Sequence, residues 1–164
     1  MKILNERQIR QKIQRLAIEI LERNLEEEVI IFAGINNKGM AFAQLLIDNL
    51  QAITGKTLLL TNVRLNPANP LSEPITIGLP LKDLHNQVII VVDDVANTGR
   101  TLFYACKPLL DALPKRLEVA VLVDRKHKSF PIQPDYLGLS LATTLKENIE
   151  VNIKNGEEQA VFLD

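Results

Sequence analysis

Apolar residues recur along this chain with two different periods, and the alternation between them outlines the fold. Ile9, Ile13, Leu16 and Ile20 stand three or four apart with Arg, Lys and Glu between them, which predicts an amphipathic helix. Asn5 followed by Gln8 predicts a capping box at its start, and the pattern fades near Asn24. Val29 to Ala33 is a short apolar run of strand length that ends at Gly34. Gly39 to Leu50 returns to helical spacing through Met40, Phe42, Ala43, Leu46, Ile47 and Leu50. Thr57 to Val63, Val88 to Val92 and Leu117 to Val123 read as further strands, with shorter ones at Ile75 to Leu79 and Tyr136 to Leu141. Thr101 to Leu113 reads as a helix disturbed by Pro108. Ile149 to Ile153 and Ala160 to Leu163 flank Asn155-Gly156, a strong hairpin signal. Asn66, Pro67, Asn69, Pro70, Ser72 and Pro74 make residues 64–74 a loop, expected to be mobile. Strands alternating with helices predict one α/β domain over residues 1–164, built on a mainly parallel sheet. The first helix and the last hairpin are expected as additions at its edges.

The chemistry concentrates where Val88–Val92 breaks into Asp93-Asp94-Val95-Ala96-Asn97-Thr98-Gly99-Arg100-Thr101. Ligands of open parallel sheets gather at the carboxyl ends of the strands. Two adjacent acids at such an end point to different sides. They can accept hydrogen bonds from a sugar diol and support Mg²⁺ directly or through water. Thr98 to Thr101 then offers backbone N–H groups, two hydroxyls and a helix start, a cradle for an anion. Taken alone, the acid pair would also suit a helix cap. The succession of strand, acids, small polar turn and helix is far more specific than the pair.

Composition changes this picture little. The chain has 164 residues, 46% of them hydrophobic and 24% charged, with a net charge of −1. No overall field draws it to nucleic acid, although a local basic patch at Arg125, Lys126, His127 and Lys128 stands out. The single cysteine, Cys106, cannot pair internally, which suits a reducing cytosol, and it reads as a packed helix thiol. No apolar run approaches the roughly 20 residues a bilayer span needs. His85 and His127 are the two histidines, and no metal-ligand spacing involves them.

The segment Val91 to Thr101 resembles the PRPP-binding motif of type I phosphoribosyltransferases. That resemblance implies ribose hydroxyls on Asp93 and Asp94, and the 5′-phosphate wrapped by Ala96, Asn97, Thr98, Gly99, Arg100 and Thr101. Upstream, Gly34-Ile35-Asn36-Asn37-Lys38-Gly39 resembles the family's diphosphate loop, with Lys38 as its cation. Val121 to Ile132 and Pro134 to Gly138 are similar to the PyrR group, uracil phosphoribosyltransferases that can also act as RNA-binding regulators of pyrimidine genes. The implied fold is a mainly parallel sheet flanked by helices, with a small hood and a C-terminal β-hairpin. The implied reaction is a Mg²⁺-dependent transfer of ribose 5-phosphate from PRPP to a nucleobase, uracil first, in nucleotide salvage. A regulator with little catalysis, and a transferase for a purine or another base, stay open beside it. The resemblance also implies a cytoplasmic homodimer or larger assembly, with RNA as a further partner through the basic patch. Without RNA, that patch reads as a solvated loop.

Particular residues bear on the base. Hypoxanthine–guanine enzymes carry an Asp that serves N7 of the purine where this chain has Asn97, which cannot act as a general base. They carry a Lys near the base carbonyl where this chain has Asp124. Asp124, Arg125, Tyr136 and Leu137 are expected to border the base. The chain also departs from PyrR proteins. Val63-Arg64-Leu65-Asn66 stands in place of an aromatic-Arg-Asp-Asp run, leaving Arg64 as a candidate catalytic contact to diphosphate with Lys38. Asn97 replaces a frequent Tyr, and Leu141-Ala142-Thr143-Thr144 replaces the usual Ile-Pro-Thr-Ser.

Overall fold

The computed structural model describes residues 1–144, 146–154 and 157–164, so the expected turn at Asn155-Gly156 lies outside the described residues. The chain opens with β1 (Lys2–Leu4), which sequence periodicity does not reveal, and then α1 (Glu6–Arg23). Asn5 caps α1 in a full capping box with Gln8, as its spacing predicts, and Ile9, Ile13, Leu16 and Ile20 are buried. Then follow β2 (Val29–Ile35), α2 (Asn36–Gln51), β3 (Thr57–Arg64), a two-residue β4 (Thr76–Ile77) and the short helix α3 (Leu81–Leu84). Next are β5 (Val88–Ala96), α4 (Arg100–Leu110), β6 (Arg116–Arg125), β7 (Tyr136–Leu141), β8 (Ile149–Asn152) and β9 (Ala160–Leu163).

Six strands form one sheet in the order β4-β3-β2-β5-β6-β7. All neighbours are parallel except β4, which runs antiparallel to β3. The central strands are near-continuous apolar runs because helices cover both of their faces. Phe32, Ile90 and Leu122 meet Phe42 and Leu46 of α2 and Leu16 and Ile20 of α1 on one side. Ile31, Val91 and Val121 meet Leu102, Ala105 and Leu109 of α4 on the other. β1, β9 and β8 make a separate antiparallel sheet that joins the two ends of the chain and forms the hood.

Two boundaries differ from the periodicity in a way that matters for the site. β5 does not stop at Val92 but continues through both acids to Ala96. Its pairing with β2 ends there, with Gly34 opposite Val92, yet β6 continues the ladder with Asp93 opposite Val121 and Ala96 opposite Asp124. One-sided pairing therefore carries charged residues inside a strand. α2 begins at Asn36, ahead of Gly39, and Asn36 has a left-handed backbone (φ 51°), which Asn tolerates. Pro108 sits in the last turn of α4, and the helix ends at Leu110, not Leu113.

The structure turns the Tyr136 side chain into the core. Alternation along β7 sends Tyr136 and Leu137 to opposite faces, and neither is among the residues that line the cavity at the carboxyl end of the sheet. Tyr136 is fully buried. Its hydroxyl donates to the Glu118 carboxylate, 3.1 Å from each oxygen, and accepts from Asn24 Nδ2 at 3.4 Å. The Arg23 guanidinium lies 4.9 Å from its ring centre, and Arg116 Nε is 3.3 Å from Glu118. Burial, with the Glu118 charge beside it, pushes the Tyr136 hydroxyl well above its ordinary pKa. This network fastens the end of α1 to β6 and β7. Tyr136→Phe leaves the buried Glu118 without its hydroxyl partner, so thermal or urea unfolding should show a loss of about 1–3 kcal/mol. Affinity for ligands of the cavity should be unchanged; a selective loss of ligand binding without destabilisation would restore Tyr136 to the site.

Candidate active site

A cavity of about 560 Å³ opens at the carboxyl ends of β2 and β5 and brings together the two segments singled out in the sequence. Ile35, Asn36, Asn37 and Lys38 line one side, and Asp93, Asp94 and Ala96 to Thr101 line another. Gly34 and Gly39 are not among the lining residues, and both stand where backbones approach closely. A Cβ on Gly39 would stand 2.5 Å from the Val92 carbonyl oxygen, and one on Gly34 would stand 2.7 Å from Met40 Cα. Gly39 lets the first turn of α2 press against the end of β5, and Gly34 lets it press against the end of β2; Lys38 Nζ stands 4.0 Å from Asp94 Oδ2.

The acids are held by their own backbone. Asp93 Oδ1 accepts the Asp94 N–H and Asp94 Oδ1 accepts the Val95 N–H, both at 2.9 Å. Burial, then the charge of Asp94 beside it, holds the Asp93 carboxyl well above the usual carboxylate range. A cation or a set of hydroxyl donors placed here would relieve that repulsion.

The loop after β5 is moulded by the segment after β6. Gly99 is left-handed (φ 88°), and a Cβ there would stand 2.7 Å from Ile132 Cγ2. Ser129 and Phe130 donate their N–H groups to the Thr98 carbonyl at 2.9 and 3.2 Å, and Lys128 Nζ donates to the Asn97 carbonyl at 2.9 Å. Arg100 to Leu102 then open α4 on the cavity wall, where first-turn N–H groups have no partner within their own helix. Such an arrangement can hold an anion.

Three residues of the basic patch make internal contacts, while Lys126 is exposed. The Lys128 side chain is only 10% exposed and pairs with Asp124 at 2.6 Å. His127 Nε2 meets the Thr143 carbonyl oxygen. Arg125 donates to Thr143 Oγ1 (2.7 Å), Asn97 Oδ1 (3.2 Å) and the carbonyls of Thr144 (2.9 Å) and Glu147 (2.8 Å). Asp124 and Arg125, expected to border the base, are not among the residues that line the cavity, and their charged groups join the loops around it. Arg64 also lies outside the lining and donates to Asn37 Oδ1 at 2.9 Å.

The loop after β3 is fastened at its start. Asn36 Nδ2 donates to the Leu65 carbonyl at 2.9 Å, and Asn36 Oδ1 accepts the Leu65 N–H at 3.2 Å. Arg100 donates to the Pro67 carbonyl at 2.6 Å, and Pro67 lines the cavity. Ile149 and Lys154 of the hood line it too. The sequence marked Pro67 within the loop at 64–74 and offered no signal for Ile149 or Lys154, since only the packing of the hood over β5 brings those two there. Cys106 is buried, and burial pushes its thiol up to about 11, consistent with a packing role. No helix among the described residues is long and apolar enough to cross a membrane.

Comparison with known proteins agrees with this geometry. Residues 1–154 match the family model described as phosphoribosyl transferase domain. The chain is 34% identical to the bifunctional protein PyrR of Bacillus cereus (strain B4264), over 96% of this chain and 92% of that protein. The PyrR of Bacillus anthracis (strain CDC 684 / NRRL 3495) matches to the same extent. Among solved structures, a hypoxanthine phosphoribosyltransferase of Trypanosoma cruzi superposes with a TM-score of 0.79 at 14% identity, covering 99% of this chain and 94% of that one. A hypoxanthine-guanine phosphoribosyltransferase of Bacillus anthracis gives 0.72 at 20% identity, covering 86% and 82%. The acid pair, the anion loop and the diphosphate-loop segment thus share one cavity in a chain that belongs to the type I phosphoribosyltransferase family, in its PyrR group.

Proposed function

We propose that the protein transfers ribose 5-phosphate from PRPP to uracil, forming UMP and releasing diphosphate. One observation carries the reading: the adjacent carboxylates of Asp93 and Asp94, the Thr98–Thr101 cradle and Lys38 line a single cavity. In this reading the cradle and the start of α4 hold the 5′-phosphate. The two carboxylates accept hydrogen bonds from the ribose hydroxyls. Lys38 faces the diphosphate, and Arg64, tied to Asn37, supports that end of the site. As the bond from C1 to diphosphate breaks, its electron pair leaves with the diphosphate and the sugar gains oxocarbenium character. The carboxylates stabilise that positive charge, and N1 of uracil bonds to C1 as its proton passes to an oxygen of the departing diphosphate. Positioning and exclusion of water are the main tasks of the chain, and the loop after β3 is the natural lid.

The donor set suits Mg²⁺. Two oxygen-bearing side chains stand side by side, and among the described residues no group of three or more His, Cys, Asp or Glu gathers that could hold a metal alone. Asp93 and Asp94 would hold the ion directly or through water, with substrate oxygens completing its shell. When bound, Mg²⁺ supplies positive charge that offsets the departing diphosphate. Uracil is preferred over an oxopurine because Asn97, not an acid, lines the cavity.

The direct test follows diphosphate release from PRPP and Mg²⁺ with uracil, hypoxanthine, guanine and orotate in turn. Turnover is expected with uracil. Turnover with hypoxanthine alone would move the base assignment, and intact PRPP binding without turnover on any base would replace the transferase with a regulator. Asp94→Asn should weaken PRPP binding on the order of 10-fold or more by calorimetry, through loss of a charged acceptor; unchanged affinity would refute the ribose assignment.

Asp93 gives a pH-dependent prediction. Its folded pKa is raised, so its stabilising contribution is complete below the unfolded value of about 3.9 and is lost as pH rises through the folded one. Asp93→Asn should therefore raise Tm at neutral pH, bring no gain in acid, and cost PRPP affinity. Equal Tm values at pH 7 would show that the acid is not strained in the fold.

A further inference from the structure

Residues 64–67, the root of the loop after β3, are held by both segments that wall the cavity. Arg64 donates to Asn37 Oδ1 at 2.9 Å, and Arg100 at the start of α4 donates to the Pro67 carbonyl at 2.6 Å. Between these ties Asn36 grips the Leu65 backbone twice. Its Nδ2 donates to the Leu65 carbonyl at 2.9 Å, and its Oδ1 accepts the Leu65 N–H at 3.2 Å. Further along, the hydrogen bonds of the loop among the described residues are local, from the Ala68 N–H to Asn66 Oδ1 and from Ser72 to the Asn69 carbonyl. The position of the loop is therefore set largely at its root. The Asn36 contact also takes over where the sheet stops. The last registered pair of β2 and β3 is Ile35 with Val63, and Leu65 lies just past the end of β3. There the Asn36 amide gives the Leu65 backbone the donor and the acceptor that a neighbouring strand would give. A carboxamide carries both on separate atoms, whereas an ionised carboxylate only accepts.

We propose that Asn36 is a positioning residue for the transfer: its amide clasps the root of the lid to the start of α2 and so holds Arg64 and the lid at the diphosphate end of the cavity. The inference rests on the transferase reading above and adds the residue that makes the diphosphate loop and the lid one piece. Asn36 acts through Leu65 and Arg64, not on a reacting atom. Without the clasp the root of the loop has more conformations open to it, and ordering it over bound PRPP costs more entropy. That cost falls on a ligand that carries the diphosphate, and not on one that fills the Thr98–Thr101 cradle alone.

The test uses Asn36→Gly, which removes the amide while glycine still accepts the left-handed backbone of that position (φ 51°). Calorimetry with Mg²⁺ compares two probes, PRPP and ribose 5-phosphate. In Asn36→Gly, PRPP affinity and kcat/KM for PRPP should fall on the order of 10-fold, while ribose 5-phosphate affinity stays within about twofold of wild type. The Leu65 amide should exchange with deuterium on the order of 10-fold faster by NMR. Asn36→Ala adds backbone strain and a lower Tm, yet should move the ratio of the two affinities by the same order. Arg64→Met should also lower kcat/KM, and the double variant with Asn36→Gly should lose little more than the larger single loss, because the two residues act as a unit. Equal losses for both probes would show that Asn36 shapes the cavity in general and would overturn the inference. Unaltered exchange at Leu65, or fully additive losses with Arg64→Met, would overturn it too. If wild type bound PRPP but turned over no base, the transferase reading would fall, while the exchange and affinity measurements would still decide whether the clasp governs PRPP binding.

Discussion

The close approach of the first turn of α2 to the end of β5 is the constraint from which the site follows. Gly39 leaves no room for a Cβ against the Val92 carbonyl, and Gly34 leaves none against Met40. A side chain at either place would force the helix off the sheet. With both glycines present, two loops far apart in sequence share one cavity, and Lys38 comes within 4.0 Å of Asp94. Neither glycine touches the cavity. Each acts by allowing two backbones to meet.

The acids of β5 show the cost of such a site. An apolar central strand is continued by two neighbouring carboxylates, one of which is held well above its ordinary pKa by burial and by the other. The fold tolerates this because β6 keeps pairing with β5 beyond the point where β2 stops. Strain of this kind persists only when the surroundings over-determine it. Here the surroundings are well supplied: Lys128, Ser129 and Phe130 hold the loop that follows, and Arg125 ties it to the approach to the hood. Four consecutive basic residues that read as a surface patch in one dimension are, in large part, internal fasteners.

The division between sequence and structure follows the range of the forces involved. Local signals were readable wherever the cause was local. The Asn5–Gln8 cap, the helical stripe of α1, the apolar central strands, the turn chemistry of Asn97 to Thr101 and the family resemblance all lie in contiguous residues. Strand ends were less readable, because β5 continues past its apolar run through pairing with a partner elsewhere in the chain. β1 escaped notice for the same reason, since its partner β9 is at the opposite end of the chain.

What the sequence alone determined, then, is which chemical groups stand together: acids at a strand end, a small polar turn at a helix start, and Lys38 in a glycine-bearing segment. Composition and order within a short segment suffice for that, because the acceptor and donor groups are properties of the residues themselves. Only the tertiary structure decided which side chains are available to a ligand. Tyr136 turned inward to Glu118, Asp124 was neutralised by Lys128, and Arg125 spent its donors on neighbouring loops. Ile149 and Lys154 joined the cavity from the hood. The reason is physical: a hydrogen-bonding group serves whichever partner the fold brings within about 3 Å, and that distance is set by packing between elements no local pattern connects.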